Sequence, residues 1–344
     1  MYTIAFAGGG TAGHVMPNLA VIAALGGGYK TVYIGGNGME KDLCVARGIP
    51  FYTIDTVKLR RDAFIKNIAV PFKLRACVKS AKKALDEIKP DLIFSKGGYA
   101  ALPVVLAAKD VPVVCHESDF SPGLATKLSK RKATRILCAF EPCAEKLKRA
   151  EYCGTPLDPK LYEKRDRKSA LEKYGLDGKK PVLTVMGGSS GATALNECTA
   201  AALPELLKLF DIIHITGKNK RGADATDGYK AVEFENDMPT LYACTDIALT
   251  RAGANALAEC IALKIPAVAV PLEKASRGDQ VQNAMYYAGK NALKVLREAD
   301  MTPSSLAETL ADTYNRKSTY ISGMSAIDVD GTQKICDIIK EYLK

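Results

Sequence analysis

A glycine-rich segment near the start of the chain carries the first residues whose types and spacing suggest chemistry. Residues 8–20 read GGGTAGHVMPNLA and join an apolar run, Ile4–Ala7, to an apolar helical pattern from Val15 to Leu25. The spacing matches neither the dinucleotide fingerprint G-x-G-x-x-G nor a Walker loop ending in Gly-Lys-Ser/Thr. Successive backbone N–H groups in such a turn can bind an anion. The residues predicted to line this anion site are Gly10, Thr11, Ala12 and Gly13.

The histidine of this segment, His14, falls at the predicted start of the helix. An imidazole titrates near neutral pH, so this side chain is a candidate general base. Two other roles fit the same position: a hydrogen-bond donor to a bound anion, or a residue that only begins the helix. The sequence leaves these three roles open.

A second glycine turn, GGSSGA at residues 187–192, follows the apolar run Pro181–Met186 and precedes a helical pattern that begins at Thr193. Glycine lets the backbone approach a ligand closely. The helix that follows presents free N–H groups and the positive end of its dipole, which favour phosphate. A tight turn with no ligand is the alternative. The candidate phosphate ligands in this turn are Gly188, Ser189 and Gly191.

A third segment, residues 250–284, places polar residues around another glycine turn. Arg251 and Gly253 lie in the turn that opens the next helix, and Glu259 lies two turns into that helix among apolar residues. A carboxylate is costly to bury without hydrogen-bond donors, and the two hydroxyls of a ribose would supply them, as in dinucleotide-binding folds. A solvent-exposed glutamate is the alternative. Further along, three polar side chains at helical spacing suit the hydroxyls of a sugar: Asp279, Gln280 and Asn283.

The elements that must position these residues alternate regularly between strand and helix patterns, which indicates parallel sheets covered by helices. The predicted strands of the first half cover residues 2–7, 31–35, 91–95, 112–115 and 134–138, with helices such as 39–47 and 100–108 between them. The pattern breaks near Gly154-Thr155-Pro156 and restarts with a strand at 181–186, and a later strand covers 266–270. The fold class predicted is α/β, with two Rossmann-like domains, residues 1–156 and 157–328, whose sheets face each other across a cleft.

The positive charge of the chain is concentrated in its first half. The 344 residues carry a formal net charge of +10, and residues 1–158 hold 23 Lys/Arg against 14 Asp/Glu, a balance of +9. Residues 58–83 contain nine basic residues and one acid, Asp62, interleaved with apolar residues. This pattern favours a segment that inserts shallowly among anionic lipid headgroups, with a solvated charged face as the alternative. Lys127, Lys130, Arg131 and Lys132 extend the predicted patch.

The location predicted from these features is the cytoplasm, with peripheral attachment to a membrane surface. No stretch reaches the roughly 18 unbroken apolar residues that a membrane span needs, and the first residues lack the basic region of a signal peptide. Nucleic acid is an alternative anionic partner for a basic surface, and we expect none. The Asp328-Val329-Asp330 sequence resembles a metal-binding pair, but the Asp-Gly-Thr-Gln pattern that starts at Asp330 predicts a helix N-cap, so we expect no metal.

Several segments in fixed order, which run through almost the whole chain, resemble the MurG family of N-acetylglucosaminyltransferases. They are GGTAGHVMPNLA (9–20), MEKDL (39–43), SKGGYAALP (95–103), HESDFSPGL (116–124), GGSSGA (187–192), FENDM (234–238), TRAGANALAE (250–259) and QNA (282–284). The resemblance implies a GT-B fold, with a C-terminal helix at about 329–344 packing back on the first domain. It also implies an inverting transfer of N-acetylglucosamine from UDP-N-acetylglucosamine to undecaprenyl-linked lipid I. The product would be lipid II of peptidoglycan, which links the reaction to cell shape and cell division.

The same resemblance assigns residues to the two substrates, with no cofactor. On the donor side it places the phosphates on Ser189 and its turn, the ribose on Glu259, and the N-acetylglucosamine on Asp279, Gln280 and Asn283; the uracil lies near Phe234 and Met238. On the acceptor side it places Thr11, His14, Tyr99, Glu117 and Asp119, with Glu117 the rival to His14 as general base. It also implies that the turn at residues 8–13 binds the diphosphate of the acceptor, with His14 as the base or as a donor to that diphosphate. Many relatives carry arginine where this chain has Asp158, so recognition of the base differs in part.

Other functions compatible with these motifs are another GT-B lipid glycosyltransferase, an isomerase of the same fold that acts on UDP-N-acetylglucosamine, and a non-enzymatic nucleotide-sugar binder. The first-domain segments GGTAGH and HESD favour the lipid I reaction over all three. Proteins of cell-wall synthesis are the expected protein partners.

Overall fold

The computed structural model describes residues 1–57, 70–188, 191–273 and 278–344, with the side chains of Val70 and Pro71 excepted. These residues form two compact units. Unit 1 comprises Met1–Asp158 and Asp330–Lys344, and unit 2 comprises Pro159–Val329. The division along the chain lies two residues beyond the predicted boundary at 156/157.

Unit 1 contains a parallel sheet of seven strands, in the order β3-β2-β1-β4-β5-β6-β7. The strands are β1 (Thr3–Ala7), β2 (Lys30–Gly35), β3 (Phe51–Thr53), β4 (Leu92–Ser95), β5 (Val113–Glu117), β6 (Arg135–Cys138) and β7 (Ala150–Tyr152). The helices are α1 (Ala12–Leu25), α2 (Met39–Val45), α3 (Val70–Ile88), α4 (Gly98–Ala107), α5 (Leu124–Ser129), α6 (Glu141–Glu145) and, near the C-terminus, α14 (Thr332–Glu341).

The strand order of unit 1 reverses direction at its first strand. The chain adds β2 and β3 on one side of β1 and then returns to add β4 on the other, so that Ala5 pairs with both Val32 and Ile93. Ligands of open α/β sheets bind outside the carboxyl ends of the strands at such a switch point. The turn after β1 and the turn after β4 are therefore neighbours at the edge where a ligand is expected.

Unit 2 repeats this arrangement with a parallel sheet of six strands, in the order β10-β9-β8-β11-β12-β13. The strands are β8 (Val182–Met186), β9 (Asp211–Ile215), β10 (Tyr229–Val232), β11 (Ile247–Thr250), β12 (Ala267–Ala269) and β13 (Lys294–Val295). The helices are α7 (Arg167–Tyr174), α8 (Thr193–Leu206), α9 (Met238–Cys244), α10 (Ala254–Ala262), α11 (Asp279–Ala288), α12 (Pro303–Asn315) and α13 (Lys317–Ser325). Its switch point lies between β8 and β11, so the turns at 187–192 and 251–253 leave adjacent strands.

The last helix, α14, belongs to the core of unit 1. Ile335, Ile338 and Ile339 are buried in one cluster with Ile4 of β1 and Leu19 of α1. The N-cap of α14 is Gly331, one residue beyond the predicted Asp330, whose carboxylate accepts hydrogen bonds from the backbone N–H and the hydroxyl of Thr332, at 2.9 and 2.5 Å. Among the described residues, no group of three or more His, Cys, Asp or Glu side chains could hold a metal ion.

The predicted strands of the first half match β1, β2, β4, β5 and β6 to within two residues at their ends, and the strands predicted at 181–186 and 266–270 match β8 and β12. Sequence analysis missed β3 and β7, which have three residues each and lie at the two edges of the sheet. It also missed β9, β10, β11 and β13 of unit 2. The α/β class and the parallel pairing are as predicted.

We expect Ile339→Ala to lower the free energy of unfolding by about 2–5 kcal/mol, because the side chain is 0% exposed and its loss leaves a cavity in the core of unit 1. Urea unfolding of the full chain measures the change. Gln333→Ala, at an exposed position of the same helix, is the matched control, and we expect a change within about 0.5 kcal/mol. Equal effects of the two substitutions would contradict the packing of α14.

Candidate functional site

The glycine turn after β1 places His14 in the first turn of α1, at the switch point of unit 1. The Oγ1 of Thr11 and the Nδ1 of His14 lie 2.9 Å apart. On its other side the imidazole packs against Gly98, where an added Cβ would come within 3.3 Å of the ring. Gly98 also has φ +79°, a backbone conformation that favours glycine. The ring is thus oriented by one hydrogen bond and by the absence of a side chain at position 98.

The pKa of His14 is lowered to about 4, first by burial and second by the positive charge of Lys96. The imidazole is therefore neutral at pH 7 and has a lone pair to offer. If Nδ1–H donates to Thr11, the lone pair lies on Nε2, which is the arrangement a general base requires.

The rest of the turn differs from a simple phosphate cradle. The backbone N–H of Gly10 donates to the Oε2 of Glu40 at 3.3 Å, and the N–H of Gly36 donates to Oε1 at 3.1 Å. Glu40 is 2% exposed, so its buried carboxylate occupies these backbone N–H groups in the way that a bound phosphate would. Of the four residues predicted to line the diphosphate site, Gly10 has its amide engaged by the protein itself. The remaining three, Thr11, Ala12 and Gly13, lie at the accessible start of α1.

Tyr99 lies against this turn, as the acceptor-side assignment expects. Gly10 has φ +86°, and a Cβ at that position would overlap the Tyr99 ring. The ring is half-buried, and its hydroxyl has a raised pKa because of burial and the nearby Glu40 carboxylate. The phenol is therefore a neutral hydrogen-bonding group beside Gly10 of the turn.

Glu117 ends β5 and shapes the loop that follows it. One carboxylate oxygen accepts from the N–H of Asp119 at 3.2 Å, and the other accepts from the N–H of Gly123 at 2.8 Å and from the Thr126 hydroxyl at 2.5 Å. The side chain is buried. Both oxygens are therefore engaged within the loop, and this arrangement favours His14 over Glu117 as the proton acceptor. Asp119 lies half-buried in the same loop.

Sequence analysis missed a buried lysine at the centre of this site. Lys96 follows β4, is 2% exposed, and donates from Nζ to the Oγ of Ser118. Burial lowers its pKa to about 8, opposed by the charges of Glu117 and Asp119. The ammonium lowers the pKa of His14 and also that of His116, whose Nε2 bonds the Gly154 carbonyl at 2.9 Å. The signal available in the sequence was a lysine directly before two glycines, in the segment SKGGYAALP at residues 95–103.

In unit 2 the turn after β8 has the geometry that its glycines predict. Gly188 has φ +83° and Gly191 has φ +67°, and the N–H of Gly191 donates to the Gly188 carbonyl at 2.9 Å. An added Cβ at Gly191 would collide with the Thr216 carbonyl. Ser189, the predicted phosphate ligand, lies outside the described residues.

The neighbouring turn, after β11, leaves open space at the start of α10. Gly253 has an ordinary φ of −68°, and a Cβ there would meet no atom within 4 Å. Neither conformation nor packing within the described residues requires glycine, so the free space is available to a ligand at the helix N-terminus. Arg251 is buried, and its guanidinium pairs with Glu298 and donates to the Val270 carbonyl at 3.3 Å. It fixes the turn.

Glu259 is half-buried on α10, where its Oε2 accepts a hydrogen bond from the Tyr242 hydroxyl at 2.6 Å. Tyr242 is buried, and burial together with the Glu259 charge raises its pKa far above the ordinary value. The tyrosine therefore stays protonated and donates. The sequence predicted that this carboxylate would need hydrogen-bond donors. Tyr242 is one such donor, and its hydrogen bond orients the acid.

The three polar residues of α11 occupy different environments. Asn283 is 0% exposed, and its Nδ2 donates to the Ala252 carbonyl at 3.4 Å, so it supports the 251–253 turn. Gln280 is half-buried, and its Oε1 accepts from the N–H of Leu272 at 2.9 Å. Asp279 is buried at the first position of the helix. The role in sugar binding predicted for these three residues stays a prediction.

The predicted uracil segment lies at the start of α9. Phe234 is 47% exposed, and Met238 is half-buried at the first position of the helix. Between them, Glu235 accepts hydrogen bonds from the hydroxyl of Tyr174 at 2.6 Å and from the N–H of Asp237 at 2.7 Å. An exposed aromatic ring on a fixed segment is a surface on which a base can stack.

The basic surface of unit 1 falls partly outside the described residues, which leave out 58–69. Within α3, the side chains of Lys73, Arg75 and Lys79 are exposed, and Phe72 is 71% exposed. Helix α5 presents Leu124 and Leu128 with exposed lysines, and both helices pack against α4. No helix among the described residues is long and apolar enough to cross a membrane.

Comparison with known proteins agrees with this architecture. The glycosyltransferase family 28 N-terminal domain matches residues 4–138, and its C-terminal domain matches residues 182–342. Two parallel α/β units that match these domains define a glycosyltransferase of the GT-B fold. More particularly, the chain belongs to glycosyltransferase family 28 and, within it, to the MurG family. The predicted family and fold are confirmed.

The similar proteins cover the whole chain. A UDP-N-acetylglucosamine--N-acetylmuramyl-(pentapeptide) pyrophosphoryl-undecaprenol N-acetylglucosamine transferase of Lachnospira eligens is 40% identical over 100% of both chains. A Bacillus cereus protein of the same name, numbered 2, is 40% identical over 99% of both. The crystal structure of Acinetobacter baumannii MurG superposes with a TM-score of 0.75 at 30% identity, covering 99% of each chain. A UDP-GlcNAc 2-epimerase structure from Methanocaldococcus jannaschii, 12% identical with a TM-score of 0.65, shares the fold alone.

We expect Glu259→Ala to raise the KM for UDP-N-acetylglucosamine by about 10–100-fold, because the variant loses a hydrogen bond to a charged group. We also expect the variant to lose the preference for ribose over deoxyribose in the nucleotide. Steady-state kinetics with both nucleotides measures the two effects. Tyr242→Phe, which keeps the carboxylate and removes the hydroxyl bonded to it, should retain the preference. Unchanged discrimination in Glu259→Ala would show that this residue does not bind the ribose.

Proposed function

We propose that this protein transfers N-acetylglucosamine from UDP-N-acetylglucosamine to N-acetylmuramyl-(pentapeptide) pyrophosphoryl-undecaprenol, or lipid I, to form lipid II of peptidoglycan. The observation that carries this proposal is the 40% identity, over the full length of both chains, with a relative named for that activity. The turns after β1 and β4 in unit 1, and after β8 and β11 in unit 2, lie at the switch points of the two sheets, where α/β folds bind ligands.

Unit 2 supplies the donor site in this proposal. The diphosphate of UDP-N-acetylglucosamine lies beside Gly253, at the N-terminus of α10, and beside the turn that contains Gly188 and Gly191. Helix N-termini and backbone N–H groups stabilise the negative charge of the departing UDP, so we propose a reaction that needs neither metal nor cofactor. Glu259, oriented by Tyr242, binds the ribose, and Phe234 stacks on the uracil.

Unit 1 supplies the acceptor site and the base. A sugar hydroxyl of lipid I gives its proton to His14 Nε2 while its oxygen forms a bond to the anomeric carbon of N-acetylglucosamine. The bond from that carbon to the UDP oxygen breaks on the opposite face, and UDP leaves with the electron pair. A single displacement of this kind inverts the configuration and requires no covalent intermediate on the enzyme.

The proposed activity is tested by incubating the full chain with UDP-N-acetylglucosamine and a water-soluble, short-chain lipid I analogue, and by identifying the product by mass spectrometry. We expect a disaccharide product and UDP in equal amounts. A diacylglycerol acceptor tests the related lipid glycosyltransferases, and incubation with the donor alone tests isomerisation. Transfer to diacylglycerol, or conversion of the donor without acceptor, would contradict the proposal.

We expect His14→Ala to lower kcat by about 10²–10⁴-fold, the usual contribution of a general base, with donor affinity unchanged. His14→Gln separates two roles. Glutamine can donate to a phosphate but is no base near neutral pH, so it should be as inactive as alanine if His14 accepts the proton. Recovery of kcat in the glutamine variant would instead assign His14 to diphosphate binding.

The location proposed for the enzyme is the cytoplasmic face of the cell membrane, to which it attaches peripherally. The acceptor is lipid-linked, and the exposed part of α3 combines Phe72 with the basic side chains of Lys73, Arg75 and Lys79. Basic residues next to an apolar side chain suit an anionic headgroup layer, and each contributes about 1 kcal/mol near such a surface.

We expect the triple charge reversal Lys73→Glu, Arg75→Glu and Lys79→Glu to weaken binding to vesicles that contain phosphatidylglycerol by on the order of 100-fold. Transfer to a short-chain soluble acceptor should persist. The matched control reverses three exposed lysines of unit 2, Lys168, Lys230 and Lys294, and changes the net charge equally. Sedimentation with vesicles measures both. Equal weakening in the two variants would assign the effect to net charge.

A further inference from the structure

The side chain of Glu40, in the first turn of α2, lies in a space that four glycines leave open. They are Gly9 after β1, Gly35 and Gly36 at the end of β2, and Gly38 directly before α2. For a Cβ added at any of the four, the nearest atom would belong to the glutamate, with overlap at Gly9 and distances of 2.9 to 3.2 Å at the others. Side chains at these positions would therefore press on the glutamate.

The carboxylate of Glu40 joins the turn after β1 to the turn after β2. The side chain is 2% exposed, and its two oxygens accept from the N–H of Gly10 at 3.3 Å and from the N–H of Gly36 at 3.1 Å. A buried carboxylate is costly unless hydrogen-bond donors meet it. An apolar side chain would fill the space but leave both amides without this acceptor. A glutamine has only one acceptor oxygen, so it cannot accept from both.

Direct contacts connect the turn after β1 to the residues proposed for the acceptor. A Cβ on Gly10 would overlap the Tyr99 ring. A Cβ on Gly98 would come within 3.3 Å of the Gly9 carbonyl oxygen and of the His14 ring. The turn is therefore packed against the buried carboxylate and against the start of α4. A shift of the turn would displace the surfaces on which Tyr99 and His14 lie.

We propose that Glu40 is a positioning residue for the acceptor: its carboxylate takes the place of a bound anion at the Gly10 and Gly36 amides and fixes the turn that the acceptor meets. The Gly10 amide then serves the turn and not the lipid-linked diphosphate. The effect on the acceptor rests on the proposed function, whereas the connection between the two turns concerns unit 1 alone.

Glu40→Gln, which fills the same space, tests this role in the full chain. We expect kcat/KM for the short-chain lipid I analogue to fall by about 10–100-fold, because a misplacement of about 1 Å can cost on the order of 10² in rate. The KM for the acceptor should rise, and the KM for UDP-N-acetylglucosamine should not change. A role in folding alone would reduce the amount of active enzyme and leave the acceptor KM unchanged. Asp42→Asn, which removes an exposed acid from the same helix, is the matched control and should behave as the wild type.

Glu40→Ala adds a test by chemical rescue, because it opens a space that acetate can fill. The amides of Gly10 and Gly36 remain there as donors, so we expect acetate to raise both the Tm of the variant and its kcat/KM for the acceptor, in a saturable manner. Acetamide has the same shape but only one acceptor oxygen, and sodium chloride controls for ionic strength; neither should restore the variant. In Glu40→Gln the space is filled, so acetate should have no effect.

A wild-type acceptor KM in Glu40→Gln would overturn the proposal, and this variant decides if the alanine variant does not fold. Equal restoration of Glu40→Ala by acetate and acetamide, or no restoration of the folded variant by acetate, would overturn it as well. If the wild type fails to use the lipid I analogue, the proposed function fails, while the effect of acetate on the Tm still decides whether the carboxylate connects the two turns.

Discussion

The switch point of a parallel sheet is the constraint on which each functional region depends. A chain that extends a sheet on one side of a strand and then returns to the other side leaves two turns side by side at one edge. In unit 1 these turns carry His14 and the Lys96–Tyr99 segment, and glycine at positions 10 and 98 lets them approach. In unit 2 the corresponding turns carry Gly188 and Gly253. The candidate functional residues therefore lie at the switch points, where the topology leaves room for a ligand beside the turns.

Around the switch point of unit 1, charged groups are arranged before any ligand arrives. Glu40 engages two backbone amides, Glu117 orders the loop after β5, and Lys96 holds Ser118. These three buried charges are hydrogen-bonded to neutral donors or acceptors, and within the part of the chain that the structure describes none of them forms an ion pair. Such a preorganised environment stabilises charge that develops during a reaction without the reorganisation that water would need.

The sequence predicted the parts of this site that depend on pattern. Glycine turns between a strand and a helix were recognisable, and so were His14 and Glu259, because their types are unusual in those positions. Lys96 was missed, because a lysine at the end of a strand is normally solvent-exposed and only the packing of α4 and β5 shows that it is buried. Asn283 shows another limit: helical spacing grouped it with Asp279 and Gln280, but spacing alone does not show that its amide also donates to the Ala252 carbonyl.

The placement of α14 has a consequence for how the protein is made. The core of unit 1 includes Ile335, Ile338 and Ile339, yet all of unit 2 is translated before these residues. During synthesis, unit 2 has its complete sequence available first, while the apolar faces of β1 and α1 await their last partner. The N-terminal unit therefore cannot complete its core until the chain has been translated through α14, after the whole of unit 2.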